Sequence, residues 1–143
     1  MIKKRLVSPL VFLFAFNFYI YSADKVSEID GIIGSEDYSD ILKTSLQNQF
    51  LLGPNFNKHD YVFTYSCGGG AICGSIFSPN QQALIDFPTE FLIDSPEGDF
   101  NIDYSIDVNQ ICFTGKSAYD PTFYNHDCYK FSSDKLINVA EGQ

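Results

Sequence analysis

Basic residues are scarce in this chain of 143 residues, which carries 9 Lys and Arg against 18 Asp and Glu. Three of the nine lie together at positions 3–5, so residues 24–143 hold 6 basic and 18 acidic residues, a net charge of −12. Such a surface repels nucleic acid and anionic lipid and favours basic partners. We therefore expect a basic protein as partner and no nucleic acid. The alternative interpretation is that the acidity only keeps the domain soluble.

Motifs of common catalytic and metal sites are also missing. There is no Cys-x-x-Cys redox pair and no Gly-x-Ser-x-Gly nucleophile elbow. Gly69 and Gly74 have the spacing of a phosphate-binding loop, but Ser75 stands where that loop requires a lysine. The acidic segment 94–107 lacks the Gly and Glu positions of an EF-hand, and two histidines with these cysteine spacings fit no zinc motif. The sequence thus predicts no cofactor and no metal site.

The N-terminal segment has the residue order of a secretory signal. Basic residues at positions 3–5 are followed by the uncharged, apolar run Leu6–Tyr21 and then by the small residues Ser22 and Ala23. The apolar core is short for a membrane span, which needs about 20 residues. We predict a signal peptide over residues 1–23, although bulky Tyr21 stands where a small residue is usual. Retention as an uncleaved anchor is the alternative; with cleavage, no stable membrane span remains.

Residues 24–143 are predicted to form a single small domain, because about 120 residues can bury one core. Aromatic residues make up 16% of the chain, with 14 Phe, 9 Tyr and no Trp, which is far from a disordered composition. The polar segment 24–34, which contains two glycines, is expected to be a flexible lead-in to the domain.

Four cysteines lie in this domain, at Cys67, Cys73, Cys112 and Cys128. An even number of cysteines in an exported chain favours disulfides. Of the three possible pairings we favour Cys67–Cys73 with Cys112–Cys128, because each pair is local in sequence. The second bond would tie two neighbouring strands. The first would close a tight loop that is a candidate binding loop, formed by Gly68, Gly69, Gly70, Ala71 and Ile72.

One helix is predicted near the start of the domain, over Glu36–Phe50. Ser35 can cap it, and acidic residues follow in the first turn, where the helix dipole favours them. The apolar residues at helical spacing are Ile41, Leu42, Leu46 and Phe50. Gly53 and Pro54 end the pattern.

After Gly53 the hydrophobic residues alternate with the period of strands. Strands are predicted at 61–66, 73–77, 82–87, 91–93, 101–108, 111–114, 127–131 and 135–139. The last two form a hairpin around residues 132–134. The predicted fold class is therefore mainly β (α+β). It is a curled antiparallel sheet of about six to eight strands with one N-terminal helix, stapled by disulfides.

Two histidines and two glutamates are candidates for acid–base chemistry. His59 and His126 each precede an aspartate, an arrangement that a small hydrolase could use. We favour a hydrogen-bonded structural histidine at both positions. Glu90 and Glu97 could form a glycosidase pair, but the sequence does not define the distance between their carboxyl groups.

The segment Pro54–Tyr61, which reads Pro-Asn-Phe-Asn-Lys-His-Asp-Tyr, carries a family resemblance. With the Cys-Gly segment that follows, it resembles small exported bacterial proteins. Their pattern is Asn-Phe-Ala-Gly-His-Tyr, an alternating strand and Gly-Cys-Gly-x-x-Cys, then an apolar strand and a Pro after the next strand. The matching residues are Phe56, His59, Tyr61, Cys67, Gly68, Cys73 and Pro88. This chain has one extra residue before Tyr61, a longer cysteine loop and Ser66 in place of a Gly.

The resemblance spans residues 54–131 and implies an exported, disulfide-bonded β fold. The family has no assigned activity, so the resemblance implies no reaction. It makes His59 and Tyr61 candidate functional residues.

Together these features favour an exported, non-catalytic binding protein of unknown specificity, located in the periplasm or outside the cell. An inhibitor or immunity-type protein that acts on a basic enzyme such as a lysozyme fits the charge, the rigid disulfide loop and the surplus of Tyr and Phe as interface anchors. The alternatives are a small extracytoplasmic hydrolase that uses His59 or His126, and a structural envelope protein.

Overall fold

The computed structural model describes residues 28–141, which fold into two short helices and two four-stranded antiparallel sheets. The predicted fold class is confirmed, with the eight strands divided between two sheets. Within the described part of the chain, no helix is long and apolar enough to cross a membrane. The predicted signal peptide and its cleavage point lie outside the described residues.

Helix α1 (Asp30–Ile33) is a single turn that buries Ile29 and Ile32. The described part of the segment expected to be a flexible lead-in, residues 28–34, is therefore packed onto the domain. Two glycines and several charged residues favour a flexible segment. Burial of the Ile29 and Ile32 side chains nevertheless holds this segment against the domain.

Helix α2 (Asp40–Leu52) confirms that a helix forms here, but the predicted start at Glu36 and the predicted cap at Ser35 are wrong. The cap is Ser39, whose hydroxyl accepts a hydrogen bond from the Leu42 amide at 3.3 Å. The Ser35 hydroxyl instead accepts one from the Asp37 amide at 3.1 Å, which makes a local turn. Either serine can accept a hydrogen bond from a main-chain amide, so residue type alone does not distinguish a helix cap at Ser39 from a local turn at Ser35.

The first sheet has the strand order β1-β2-β3, and the short β4 pairs with the start of β2. Its strands are β1 (Tyr61–Gly68), β2 (Ala71–Ser78), β3 (Ala83–Asp86) and β4 (Phe91–Leu92). Successive side chains of β1 point to opposite faces of the sheet and so contribute to two different hydrophobic clusters. Val62 faces the space between the sheets, whereas Tyr61 and Phe63 face α2.

The second sheet has the order β5-β6-β7-β8. Its strands are β5 (Asn101–Asp103), β6 (Gln110–Lys116), β7 (Phe123–Ser132) and β8 (Lys135–Asn138). The strand predicted over 101–108 is wrong beyond residue 103. Ile106 and Val108 stay 38% and 46% exposed, and their carbonyl groups accept hydrogen bonds from the amides of Lys58 and Asn57. The alternating residues at 104–108 form no strand, because their main chain is hydrogen-bonded to the turn at 57–58 and not to a neighbouring strand.

Both predicted disulfides are confirmed. Cys67 is the extra residue of a β-bulge in β1, and its partner Cys73 lies in β2. The turn between these strands requires glycine, because Gly69 and Gly70 have φ angles of 62° and 75°, as in a two-residue type I′ turn. Cys112 and Cys128 lie directly opposite each other on β6 and β7, with Cα atoms 4.0 Å apart.

Two hydrophobic clusters hold the elements together. One lies between the sheets and consists of Phe56, Val62, Ile76, Ile85, Phe87, Phe91, Ile111, Phe113 and Phe131. The other joins both helices to the outer face of the first sheet and includes Leu42, Leu46, Phe50, Tyr61, Phe63 and Phe77. A bridge between Phe91 and Ser117 ties the two sheets at one side. Each fully buried Phe stabilises the fold by about 1.5–3 kcal/mol relative to an exposed one.

Candidate binding site

Three residues of the Pro54–Tyr61 motif stabilise the fold. The Asn55 side chain donates to the Val62 carbonyl at 2.9 Å and accepts from the Val62 amide at 2.7 Å, so it acts as a strand partner at the edge of β1. Phe56 is fully buried between the sheets. Tyr61 is 3% exposed and packs on Phe50 with ring centroids 4.9 Å apart. These contacts give Asn55, Phe56 and Tyr61 a role in the stability of the fold.

His59 does not form the dyad with Asp60 that its sequence position offers. It lies exposed in the turn at 57–59 and makes no side-chain hydrogen bond to another described residue. The carboxylate of Asp60 is fully buried and accepts a hydrogen bond from the Asn57 side chain at 2.8 Å. The expectation of a hydrogen-bonded histidine is therefore wrong at this position.

His126 is hydrogen-bonded, but to a partner distant in sequence. It is the bulged residue of β7, with a φ of 58°, and its Nε2 lies 3.2 Å from the Asp103 carboxylate on β5. Asp127, its neighbour in sequence, pairs in register with Phe113 instead. Both members of the His126–Asp103 pair are exposed, so their interaction is screened by solvent.

Each disulfide has one further potential metal ligand nearby, within 4.8 Å of the two sulfur atoms. For Cys112–Cys128 this is His126, and for Cys67–Cys73 it is Glu90. Metal ligation by cysteine uses the thiolate, and a sulfur held in a disulfide is not a thiolate. Neither group is a metal site while its disulfide is intact.

The predicted binding loop at 68–72 is only partly exposed. Gly68, Gly69 and Gly70 form the exposed tip of the β1–β2 hairpin. Ala71 is 4% exposed and Ile72 is half-buried, and both pair with β4. The exposed part of this loop therefore presents main chain and no side chains.

Three cavities open on the surface of the described chain. The largest, about 480 Å³, lies between α2 and the edge strands β1 and β5, and its lining is uncharged. A cavity of about 330 Å³ lies beside Cys112 at the end of β5. The third, about 260 Å³, lies beside the Cys67–Cys73 disulfide and contains two tyrosines and two carboxylates. Neither histidine lines any of the three.

We call this third cavity the tyrosine–carboxylate pocket, after Tyr65, Asp86, Glu90 and Tyr119. On one wall, Asp86 lies opposite Ser75 in the β2–β3 pairing, and the fully buried Ser75 hydroxyl donates to its carboxylate at 2.8 Å. Tyr65 is half-buried beside it. Burial, followed by the negative charge of Asp86, raises the pKa of the Tyr65 hydroxyl. This wall is thus anchored in the strands of the first sheet.

The other wall joins β4 to the loop after β6. The Ala118 amide donates to the Glu90 carbonyl at 2.9 Å, and the hydroxyls of Thr89 and Ser117 lie 3.0 Å apart. Tyr119 stands at the rim and is 73% exposed. Hydrogen bonding to the Glu90 carboxylate raises the pKa of its hydroxyl. These hydrogen bonds fix the position of the loop after β6 relative to the first sheet, and with it the position of the second wall relative to the first.

One glycine in the lining of the pocket makes room for a neighbouring aromatic ring. A Cβ atom on Gly74 would lie 2.0 Å from the ring of Phe87, a distance at which the two groups overlap. The Phe87 ring packs against Phe113 of the second sheet, with centroids 4.8 Å apart. The absence of a side chain at Gly74 thus leaves space for the Phe87 ring, and both residues line the pocket.

No protein-family model, no curated protein and no solved structure matches this chain. The resemblance to small exported bacterial proteins stays a prediction.

Sequence reasoning did not find the tyrosine–carboxylate pocket. Glu90 was considered only with Glu97, which lies outside the pocket and pairs with Lys116 at 3.7 Å. The available signal was indirect: Tyr65 lies two residues before Cys67, whose disulfide borders the pocket. Asp86 and Tyr119 carry no local motif, and only the strand pairing brings them to this place.

Proposed function

We propose that this chain is an exported, non-catalytic binding protein whose partner is a basic protein. The observation that carries the proposal is the unneutralised charge of the folded domain. Residues 28–141 hold 17 acidic side chains and five lysines, a net charge of −12. Among these described residues a single lysine–carboxylate ion pair forms, between Lys116 and Glu97. Almost all the acidic groups are left to act on a partner.

Charge of this kind promotes association in two ways. It steers a cationic partner during diffusion, and it disfavours acidic competitors. Because exposed charges are screened over about 8 Å at physiological salt, the association rate falls as ionic strength rises. The exposed Tyr119 supplies an aromatic anchor inside the acidic surface.

Export is part of the same proposal. Two disulfides join all four cysteines, which is compatible with an oxidising compartment, the periplasm or the medium. The hydrolase alternative has less support, because His59 lacks a carboxylate partner among the described residues and the His126–Asp103 pair is exposed, so solvent screens it.

The test measures binding to a purified cationic hydrolase. The mature protein, secreted from the full-length sequence, is titrated by calorimetry with a lysozyme at two ionic strengths. The control is the same lysozyme with its lysines succinylated, which reverses their charge. We expect binding that weakens with salt and weakens strongly on succinylation, which reverses the lysine charges and leaves the arginines in place. Equal binding of the two lysozyme forms, or no binding to any of several cationic hydrolases at low salt, would reject the proposal.

A further inference from the structure

We propose that the tyrosine–carboxylate pocket receives one arginine side chain of the basic partner. This inference rests on the function proposed above, and it assigns the contact that gives the interaction its specificity. Two carboxylates, Asp86 and Glu90, line the pocket, and no Lys, Arg or His lines it. Lys116, which does form an ion pair, is engaged by Glu97 and by the Pro121 carbonyl. The charge of the pocket is therefore left for a cation from outside.

The aromatic residues favour an organic cation over a metal ion. Tyr65 and Tyr119 line the same cavity as the carboxylates, and aromatic rings attract cations such as guanidinium through their electron-rich faces. Guanidinium is planar, is weakly hydrated and carries five donors, so it can contact a ring and pair with a carboxylate at the same time. A lysine ammonium lacks this planar fork.

The pocket is built before any ligand arrives, which distinguishes it from a chance group of acids. Asp86 is oriented by Ser75, a residue with no exposed surface whose hydroxyl donates to it. The main chain at Glu90 is fixed by the Ala118 amide. The Cys67–Cys73 disulfide lies against the Glu90 carboxylate. Such preorganisation lowers the entropy lost on binding.

The size of the pocket selects a single side chain. A volume of about 260 Å³ is small against the 300–1,000 Å³ of sites for drug-sized ligands. Its lining includes the buried Phe87, which is 7% exposed, and the solvent-exposed Tyr119. An arginine that projects from a folded partner can enter, whereas a peptide main chain needs a longer groove.

The experiment uses a probe smaller than a protein. N-acetyl-arginine amide is titrated into the isotope-labelled mature protein, with the uncharged isostere N-acetyl-citrulline amide as control, and NMR shifts of the Tyr65 and Tyr119 rings are followed. We expect saturable shifts with arginine and none with citrulline. Shifts of equal size with both probes, or shifts that leave these two rings unchanged, would overturn the inference.

Variants then separate the pocket from general charge. Glu90→Gln and Tyr119→Ala alter the pocket, while Glu36→Gln removes the same charge from an exposed site elsewhere. We expect Glu90→Gln to weaken binding of the arginine probe and of the lysozyme by about tenfold, and Glu36→Gln to leave both nearly unchanged. Tyr119 is mostly exposed, so its removal tests the pocket without disturbing the core.

The two proposals fail in different ways. If lysozyme binds wild type and Glu90→Gln equally, the pocket inference is wrong and the proposed function stands. If the arginine probe binds in the pocket but no cationic protein binds, the pocket recognises guanidinium as inferred, but the proposed function and the assignment of that arginine to a basic protein are wrong.

Discussion

The hydroxyl of Ser75 and the carboxylate of Asp86 lie 2.8 Å apart across two paired strands, with Ser75 fully buried and Asp86 at the surface. The pair links the interior of the sheet to an acidic group of the tyrosine–carboxylate pocket. A buried donor without a partner is costly, so each residue depends on the other for its position. Stability and pocket geometry are coupled at this point.

Replacing Ser75 with alanine is expected to disturb both properties. Loss of a hydrogen bond to a carboxylate should lower the free energy of unfolding by about 1–2 kcal/mol and loosen Asp86. Urea titration measures the first effect, and the affinity for the arginine probe measures the second. Ser66→Ala, at an exposed position of β1, is the control. If Ser75→Ala has the same free energy of unfolding as Ser66→Ala, the Ser75–Asp86 hydrogen bond does not stabilise the fold.

Gly74→Ala should be far more damaging than an ordinary surface change. The new methyl group would overlap the Phe87 ring, and overpacking of this kind costs about 1–3 kcal/mol. Gly31→Ala in α1 is the matched control, because nothing lies within 4 Å of a Cβ at that position. Thermal unfolding of the two variants should show a large loss for the first and little loss for the second. Similar melting temperatures would contradict the packing of Phe87 under Gly74.

The two disulfides should differ in their contribution to stability. Cys112–Cys128 spans 16 residues and Cys67–Cys73 spans 6. Chain entropy predicts losses of about 3 and about 2 kcal/mol when the paired cysteines are replaced with alanine. Denaturant titration of the two double variants should therefore rank Cys112–Cys128 as the more stabilising bond. The opposite order would show that contacts around the hairpin tip outweigh loop closure.

Alkaline pH should destabilise the fold through its tyrosines. Burial and the charge of Asp86 raise the pKa of Tyr65 above its ordinary value of 10.0, so the folded state holds this proton more tightly than the unfolded chain does. Its stabilising contribution is full below pH 10.0 and is lost as the pH rises through the folded-state pKa. Tyrosinate absorbance should show the late titration, and Asp86→Asn should move it to lower pH. An unchanged titration in this variant would contradict the electrostatic effect of Asp86 on the pKa of Tyr65.

Substitution of the histidines separates the binding function from the hydrolase alternative. His59→Ala and His126→Ala should leave lysozyme affinity within about twofold of wild type, since neither side chain lines the tyrosine–carboxylate pocket. Calorimetry of the two variants checks this expectation. A hydrolytic activity in the wild type that either substitution abolishes would favour the alternative function.

Features decided by neighbouring residues could be predicted from sequence. Both disulfide pairings followed from their locality, and the glycines between Cys67 and Cys73 marked a turn whose φ angles other residues rarely adopt. The strands from Tyr61 to Asp86 followed from period-two alternation. The spacing of apolar residues also predicted the helix that covers the first sheet. It did not show that Ser39, and not Ser35, caps this helix.

Features decided by distant contacts could not be predicted. The alternation at 101–108 predicted a long strand, yet the main chain of Ile106 and Val108 pairs with the turn at 57–58. His126 binds Asp103 and not its sequence neighbour, because a bulge in β7 redirects its side chain.

The sequence by itself determined the acidity of this protein and its even set of cysteines through composition, and its β character through the alternation of hydrophobic residues. The tertiary structure decided where that acidity becomes a site. Tyr65, Asp86, Glu90 and Tyr119 come from separate segments, and they meet because β1, β2 and β3 pair in register and the Phe91–Ser117 bridge brings the second sheet alongside. Register depends on packing summed over the whole core, so no local pattern in the sequence specifies that meeting point.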